Sequence, residues 1–160
     1  MMARVVVGVS ASSGSPSALV AAAAEARMRS AELVAVQAWR PPRPPASPGG
    51  RPPGVSRDTE ASMAAAKQRL RIQVARALGI DAPVSLKVVQ GGPRAVLQAE
   101  SEHADLLVLD SSRTPTSQPP QRLVSRLLAV VRCPVLVMPP TGRRPATSQP
   151  NSQMAEPDDS

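Results

Sequence analysis

Residues 4–10 read RVVVGVS and residues 16–30 read PSALVAAAAEARMRS, and this pair of segments decides the fold. The first segment is a β-branched run of strand length, as expected for a central parallel strand that is buried on both faces. Proline is well tolerated at the first helical position, so Pro16 predicts the start of an Ala-rich helix. A strand followed at once by a helix begins a βαβ unit and therefore indicates a parallel sheet.

The same alternation of strand and helix patterns continues along the chain. Further strands are predicted at 32–39 (ELVAVQAW), 84–90 (VSLKVVQ), 106–109 (LLVL) and 135–138 (VLVM). Three further helices are predicted: one that begins at a cap, Asp58 or Thr59, and ends at Leu78, one over 94–103 and one over 121–131. Strands and helices in strict alternation predict a single α/β domain, and a length of 160 residues agrees with one domain plus tails.

Two segments do not fit this pattern. Residues 40–57, RPPRPPASPGGRPPGVSR, predict a mobile loop, because proline lacks the backbone donor that helices and ladders need. Residues 140–160 hold few large apolar side chains and predict a disordered tail. The folded domain is therefore expected to span residues 3–139.

Composition excludes several classes of protein. Cys133 is the single cysteine, so no internal disulfide can form and a reducing compartment suits the chain. The apolar runs are too short for a signal peptide or a membrane span, so we expect a cytoplasmic protein without a membrane partner. The net charge of +7 is carried by scattered arginines, and the absence of Phe and Tyr removes the stacking platforms of nucleic-acid binders. We therefore expect no nucleic-acid partner.

The sequence offers no catalytic constellation. His103, the only histidine, falls at a predicted helix end, where no metal cluster can be built around it. No histidine is placed to activate Cys133 as a nucleophile. The chain is therefore predicted not to be an enzyme and to hold no metal.

Five segments in their order resemble the universal stress protein family. They are VVVGVS with Ser12, Ser15 and Ser17 ahead of an Ala-rich helix, EARMRSAELVAVQAW (25–39), VVQGGPRAVL (88–97), HADLLVLD (103–110) and VVRCPVLVMPP (130–140). The resemblance implies a flavodoxin-like, doubly wound sheet of the adenine nucleotide alpha hydrolase-like type, with five parallel strands in the order 3-2-1-4-5 and four helices. It also implies a ligand site where the order reverses, between strands one and four.

Many members of that family bind ATP with an acid at the end of strand one and a loop after strand four of the form Gly-x-x-Gly, nine residues, Gly-Ser or Gly-Thr. Ser10 stands where the acid is expected, and Asp110 and Arg113 stand where the first two glycines are expected. The final Gly-Ser falls on Arg122 and Leu123, or on Gln121 and Arg122 if the loop is shorter. Glycine matters in such loops because it lets backbone N–H groups close on phosphates in conformations that a Cβ would block.

These departures predict a vestigial nucleotide site without a cofactor, in a non-enzymatic, stress-associated signalling or interaction module whose protein partner is unknown. An alternative stays open, in which the chain binds ATP and hydrolyses it slowly, using Ser10, the loop of Ser111 to Arg113, and Ser125 in place of the glycines. Asp110 also has a plain structural interpretation, as a strand-end residue that bonds the amides of Ser112 or Arg113.

The last predicted strand consists of Val135, Leu136, Val137 and Met138, and it carries no charge. In the order 3-2-1-4-5 this strand lies at the edge of the sheet, where one row of its backbone groups has no partner within the domain. Members of the family that it resembles pair this strand with its copy across a two-fold axis, which predicts a homodimer. The alternative is a monomer whose edge is shielded by the tail after Pro140.

Overall fold

The computed structural model describes residues 2–41, 55–111 and 121–139. Its elements are β1 (Arg4–Gly8), α1 (Pro16–Met28), β2 (Glu32–Trp39), α2 (Val55–Leu78), β3 (Val84–Gln90), α3 (Pro93–Ser101), β4 (Leu106–Asp110), α4 (Gln121–Leu128) and β5 (Val135–Met138). None of the helices in these ranges is long and apolar enough to cross a membrane.

The five strands form one parallel sheet in the order β3-β2-β1-β4-β5, as expected. Val6 of β1 lies between Val34 of β2 and Leu107 of β4, so the central strand is paired on both sides. The chain moves outward in one direction through β2 and β3 and in the other through β4 and β5. The order therefore reverses at β1 and β4, and in doubly wound sheets ligands bind in the crevice outside the carboxyl ends of the strands at this point.

Alternate side chains of the sheet enter two apolar cores, one on each face. The core under α1 and α2 contains Val5 and Val7 of β1 together with Leu19 and Leu70 of the helices, all fully buried. The second core, under α3 and α4, contains Val6, Val34, Val36, Val96, Leu97, Leu107, Leu109 and Leu127. Because both faces are covered, a ligand can reach the sheet only at its ends or its edges.

Gly8 allows β1 to lie close to the second core. A Cβ at this position would stand 2.8 Å from Leu109 Cδ2 and 3.0 Å from Leu97 Cδ2. Both distances are shorter than ordinary van der Waals contact. A side chain at this position would therefore require Leu109 and Leu97 to shift, and the backbone of Gly8 itself is not left-handed.

The ends of α1 and α3, at Met28 and Ser101, fall before the predicted ends at Ser30 and His103. Two other helix boundaries differ more. Helix α2 begins at Val55, so the last residues of the predicted loop 40–57 are helical; no proline follows Pro53, and the backbone amides from Val55 onward are free to enter a helix. Helix α4 ends at Leu128 instead of Val131, and the Val130 N–H then donates to Leu127 O at 2.9 Å in a tighter turn of three residues. Residues 42–54 of the predicted loop and the predicted tail 140–160 lie outside the described residues.

Candidate functional site

The candidate crevice is the point at the carboxyl end of the sheet, beside β1 and β4, where the strand order reverses. Val7 pairs with Val108, and continuation of this register places Asp110 level with Val9 and close to Ser10. Ser111 follows Asp110 in the chain, and its N–H donates to Met138 O at 2.8 Å. Ser10, Asp110 and Ser111 therefore lie at the same end of the sheet.

The turn between β1 and α1 is held by its own serines. Ser10 N donates to Ser15 Oγ at 3.0 Å, and the hydroxyls of Ser10 and Ser12 are hydrogen-bonded to each other at 2.9 Å. Gly14 N donates to Ser10 O at 2.9 Å, and Gly14 has a φ of 72°, in the left-handed region that glycine tolerates. Ser15 is buried and also left-handed, with a φ of 45°. The polar groups of Ser10 are therefore engaged within the turn.

A side chain from α2 reaches into the same turn. Gln73 Nε2 donates to Ala11 O at 3.2 Å and, more weakly, to Ser10 O at 3.5 Å. Gln73 Oε1 accepts a hydrogen bond of 3.3 Å from Gln37 Nε2, and Gln37 is only 1% exposed in β2. This relay fastens α2 to β2 and to the β1–α1 turn.

Gln37 and Gln73 are site residues that the sequence analysis missed. The available signal was Gln37, because a polar side chain interrupts the apolar run of β2 and a buried amide must find a partner. No local pattern could identify Gln73 as that partner, since it lies 36 residues further along the chain.

Asp110 ends β4 with its side chain partly buried. Its Oδ1 atom is buried and has no hydrogen-bond partner among the described residues. Burial raises the pKa of the Asp110 carboxyl, because removal from water disfavours the charged form. The predicted bond to the amides of Ser112 or Arg113 falls on residues outside the described part of the chain. Among the described residues, no donor therefore satisfies Oδ1 of Asp110.

The other predicted site residues lie on or before α4. Leu123 and Ser125 are on this helix, and both are exposed. Arg122 belongs to the helix, but its side chain is outside the described residues, as is the whole of Arg113. The structure therefore does not show these four residues converging on Ser10 and Asp110.

Arg40, the first residue after β2, lies at the same end of the sheet. The guanidinium group of Arg40 lies against Gly92, where a Cβ would collide with Nη2. Gly92 precedes Pro93, the first residue of α3, and Gly91 N donates to Trp39 O at 2.9 Å. The turn from β3 into α3 is thus packed under the Arg40 side chain.

Strand β5 is the edge strand that the sequence predicted. It pairs with β4 through four residues, Val135 to Met138, and with no other described strand. Val137 is 36% exposed, whereas Leu136 and Met138 pack against the core under α1. The described residues leave the outer backbone row of this short apolar strand uncovered.

Comparison with known proteins gives one family and many related folds. The model of the universal stress protein family matches residues 1–139. Comparison with curated protein sequences finds no significant match.

Solved structures share the fold at low sequence identity. A universal stress protein from Lactobacillus plantarum is 21% identical with a TM-score of 0.61, over 85% of this chain and 97% of that one. A universal stress protein in complex with cAMP is 20% identical with a TM-score of 0.59, over 88% of this chain and 98% of that one. A universal stress protein family protein from Arabidopsis thaliana with AMP bound is 19% identical with a TM-score of 0.51, over 94% of this chain and 97% of that one.

Proposed function

Because the chain belongs to the universal stress protein family, we propose that it is a non-enzymatic, stress-associated signalling or interaction module that does not bind ATP. The observation that carries the proposal is the closed β1–α1 turn. Ser10 donates its N–H to Ser15 Oγ, its carbonyl accepts from Gly14, and its hydroxyl is paired with Ser12. A nucleotide would have to replace these bonds, and Ser10 has no carboxylate with which to bind it strongly.

The opposite side of the crevice is electrostatically unsuited to phosphate. If Asp110 stays ionised, a phosphate 4 Å away costs about 4 kcal/mol at an effective dielectric of about 20, before screening by salt. Burial already opposes the ionised form, so a second negative charge acts in the same direction. The Arg40 guanidinium lies against Gly92, in the turn after β3, and β2 and β1 separate that strand from β4.

We also propose that the module works as a homodimer in the cytoplasm. The support for the dimer is β5, a short uncharged edge strand with Val137 exposed, which a second copy can cover by pairing strand to strand. The support for the cytoplasm is the single cysteine. Burial raises the pKa of the Cys133 thiol, so the residue suits a small apolar role in a reducing compartment.

A second candidate function rests on two of the structural relatives. One is in complex with cAMP and another has AMP bound. Under this hypothesis the carboxyl end of the sheet holds an adenine nucleotide, and Ser10, Ser111 and Ser125 supply hydroxyl groups. If the nucleotide is ATP, the chain hydrolyses it slowly. The two relatives favour a ligand with a single phosphate, which brings less negative charge to Asp110 than a triphosphate does.

Thermal unfolding of the full chain with millimolar Mg²⁺ and ATP, AMP or cAMP separates the two candidates, with Mg²⁺ and GTP as the control. A ligand at one hundred times its Kd adds about 2.7 kcal/mol to stability, which raises Tm by several degrees in a chain of this size. We expect no change in Tm with any of them. A rise of several degrees with ATP contradicts the main proposal, and a rise with AMP or cAMP alone supports the second candidate.

A further inference from the structure

A separate cavity of about 200 Å³ lies at the amino end of the sheet, opposite the crevice. It is formed where the last turns of α1 and α2 meet the first residues of β2 and β3. The cavity exists because its walls are built from small side chains. Ala23 and Ala26 of α1, Ala31 before β2, and Ala82 before β3 all line it, while Leu33 and Leu78 form its apolar floor.

The size of the cavity sets the size of a possible ligand. An apolar cavity of about 150 Å³ stays dry and accommodates benzene, so this one has room for about eight carbon atoms. It is smaller than the pockets of about 300 Å³ or more that hold drug-sized ligands. Met28 and Ile80, which lie within two residues of lining residues in the chain, are 72% and 88% exposed.

One charged side chain lines this cavity. Arg27 is exposed and makes no ion pair or side-chain hydrogen bond with the described residues, in contrast to Arg29, which pairs with Glu25 at 3.1 Å. Ser30 also lines the cavity, and its hydroxyl makes no hydrogen bond with the described residues. An apolar lining that includes one arginine and one serine fits a ligand that is apolar at one end and anionic at the other.

The ends of two helices act against an anion here, because helix C-termini carry partial negative charge. In α1 this effect is reduced, since the last carbonyls are already engaged. Glu25 O accepts from Arg29 N at 3.1 Å, Ala26 O from Ala31 N at 2.8 Å, and Arg27 O from Ser30 N at 3.2 Å. A full positive charge that can form two parallel hydrogen bonds to a carboxylate outweighs the remaining partial charges.

We propose that this amino-end pocket binds a small amphipathic carboxylate with an apolar body of about eight carbon atoms, and that Arg27 binds its head group. The proposal goes beyond the proposed function and involves the opposite end of the sheet. Its failure is therefore distinguishable from that of the nucleotide experiment, which concerns Ser10 and Asp110.

The test is a titration of the ¹⁵N-labelled full chain, followed by backbone amide shifts, with three probes that share one apolar body and a fourth that is shorter. The anion is 3-phenylpropanoate, with phenylacetate as a shorter anion; 2-phenylethanol is the neutral compound and 2-phenylethylammonium the cation, and these two share the phenethyl body of 3-phenylpropanoate. We expect saturable shifts at residues 23–33 and 78–84, with 3-phenylpropanoate binding most tightly. The absence of saturable shifts at millimolar probe, or equal or tighter binding of the cation, would overturn the proposal without the use of any variant.

Two variants with matched controls test the assigned roles. Arg27→Gln is expected to weaken 3-phenylpropanoate binding about fivefold and to leave 2-phenylethanol unchanged, whereas Arg76→Gln, in the last turn of α2 but outside the pocket, should change neither. Ala82→Leu fills the pocket and should abolish binding of all the probes, and Ala24→Leu, on the exposed face of α1, should not. Equal effects of a pocket variant and its control would refute the assignment.

Discussion

The relay from Gln37 through Gln73 to the β1–α1 turn gives the sharpest test of how the crevice is held. Gln73→Met keeps the length of the side chain and removes every hydrogen bond that Gln73 makes. The Gln37 amide is then left without this partner at a position only 1% exposed. The carbonyls of Ala11 and Ser10 lose a weaker contact, which water can replace because the turn is at the surface.

The expected cost follows from these distances and exposures. A buried donor that loses its partner costs about 1–3 kcal/mol. The Gln37–Gln73 bond of 3.3 Å is long, and Gln73 is only half-buried, so the lower part of that range applies. We therefore expect Gln73→Met to lower the free energy of unfolding by about 1–2 kcal/mol.

Urea unfolding measures this change in the free energy of unfolding. All samples are kept at one protein concentration, because the stability of a dimer depends on concentration. The control is a double-mutant cycle with Gln37→Leu. When both amides are replaced by apolar groups, no buried donor is left unpaired, so the double variant should recover about 1 kcal/mol relative to the sum of the two single changes. If Gln73→Met is as stable as the unmodified chain, or if the two changes are simply additive, the relay does not hold the turn.

Three further changes test other contacts. Gly8→Ala should lower the free energy of unfolding by about 1–2 kcal/mol in the same urea assay, because the new methyl group would stand 2.8 Å from Leu109 Cδ2; an unchanged midpoint would show that the leucine moves aside freely. Asp110→Asn should gain stability over the unmodified chain as pH rises. Burial raises the folded-state pKa of this acid, so the unfolded chain ionises first, from about pH 4, and the advantage grows until the folded carboxyl has also ionised; a difference that does not vary with pH would contradict this cause. Val137→Lys places a charge on the exposed side of β5 and should convert a dimer to monomer in sedimentation experiments, whereas an unmodified chain that is monomeric at tens of micromolar, or a variant that remains dimeric, would contradict the dimer.

Much of the fold could be predicted because its signals are local. The bounds of β2, β3 and β5 agree with the structure, since runs such as ELVAVQAW and VSLKVVQ end at glycine, proline or a helix cap. Helix boundaries were less well predicted. The start of α2 at Val55 and the end of α4 at Leu128 depend on which backbone amides find partners, and composition alone does not report this.

Sequence reasoning could place only those candidate site residues that directly follow or end a strand. Ser10 and Asp110 follow from strand order, because parallel strands end at the same side. The convergence of Leu123 and Ser125 on them is not shown in the described residues, since the position of α4 depends on its packing rather than on a motif. The predicted cap of Asp110 could not be checked, because its partners fall outside the described residues.

By itself, the sequence determined the alternation of strands and helices, because each element depends on a short run of neighbours. The resemblance to a family supplied the strand order and, with it, the strand that lies at the edge. Only the tertiary structure decided that Gln73 is the partner of Gln37, that Oδ1 of Asp110 has no partner among the described residues, and that alanines from three segments leave a cavity beside Arg27. These features join residues that are far apart in the chain. Their existence depends on how closely helices pack on the sheet, a property of side-chain volumes in three dimensions rather than of any local pattern.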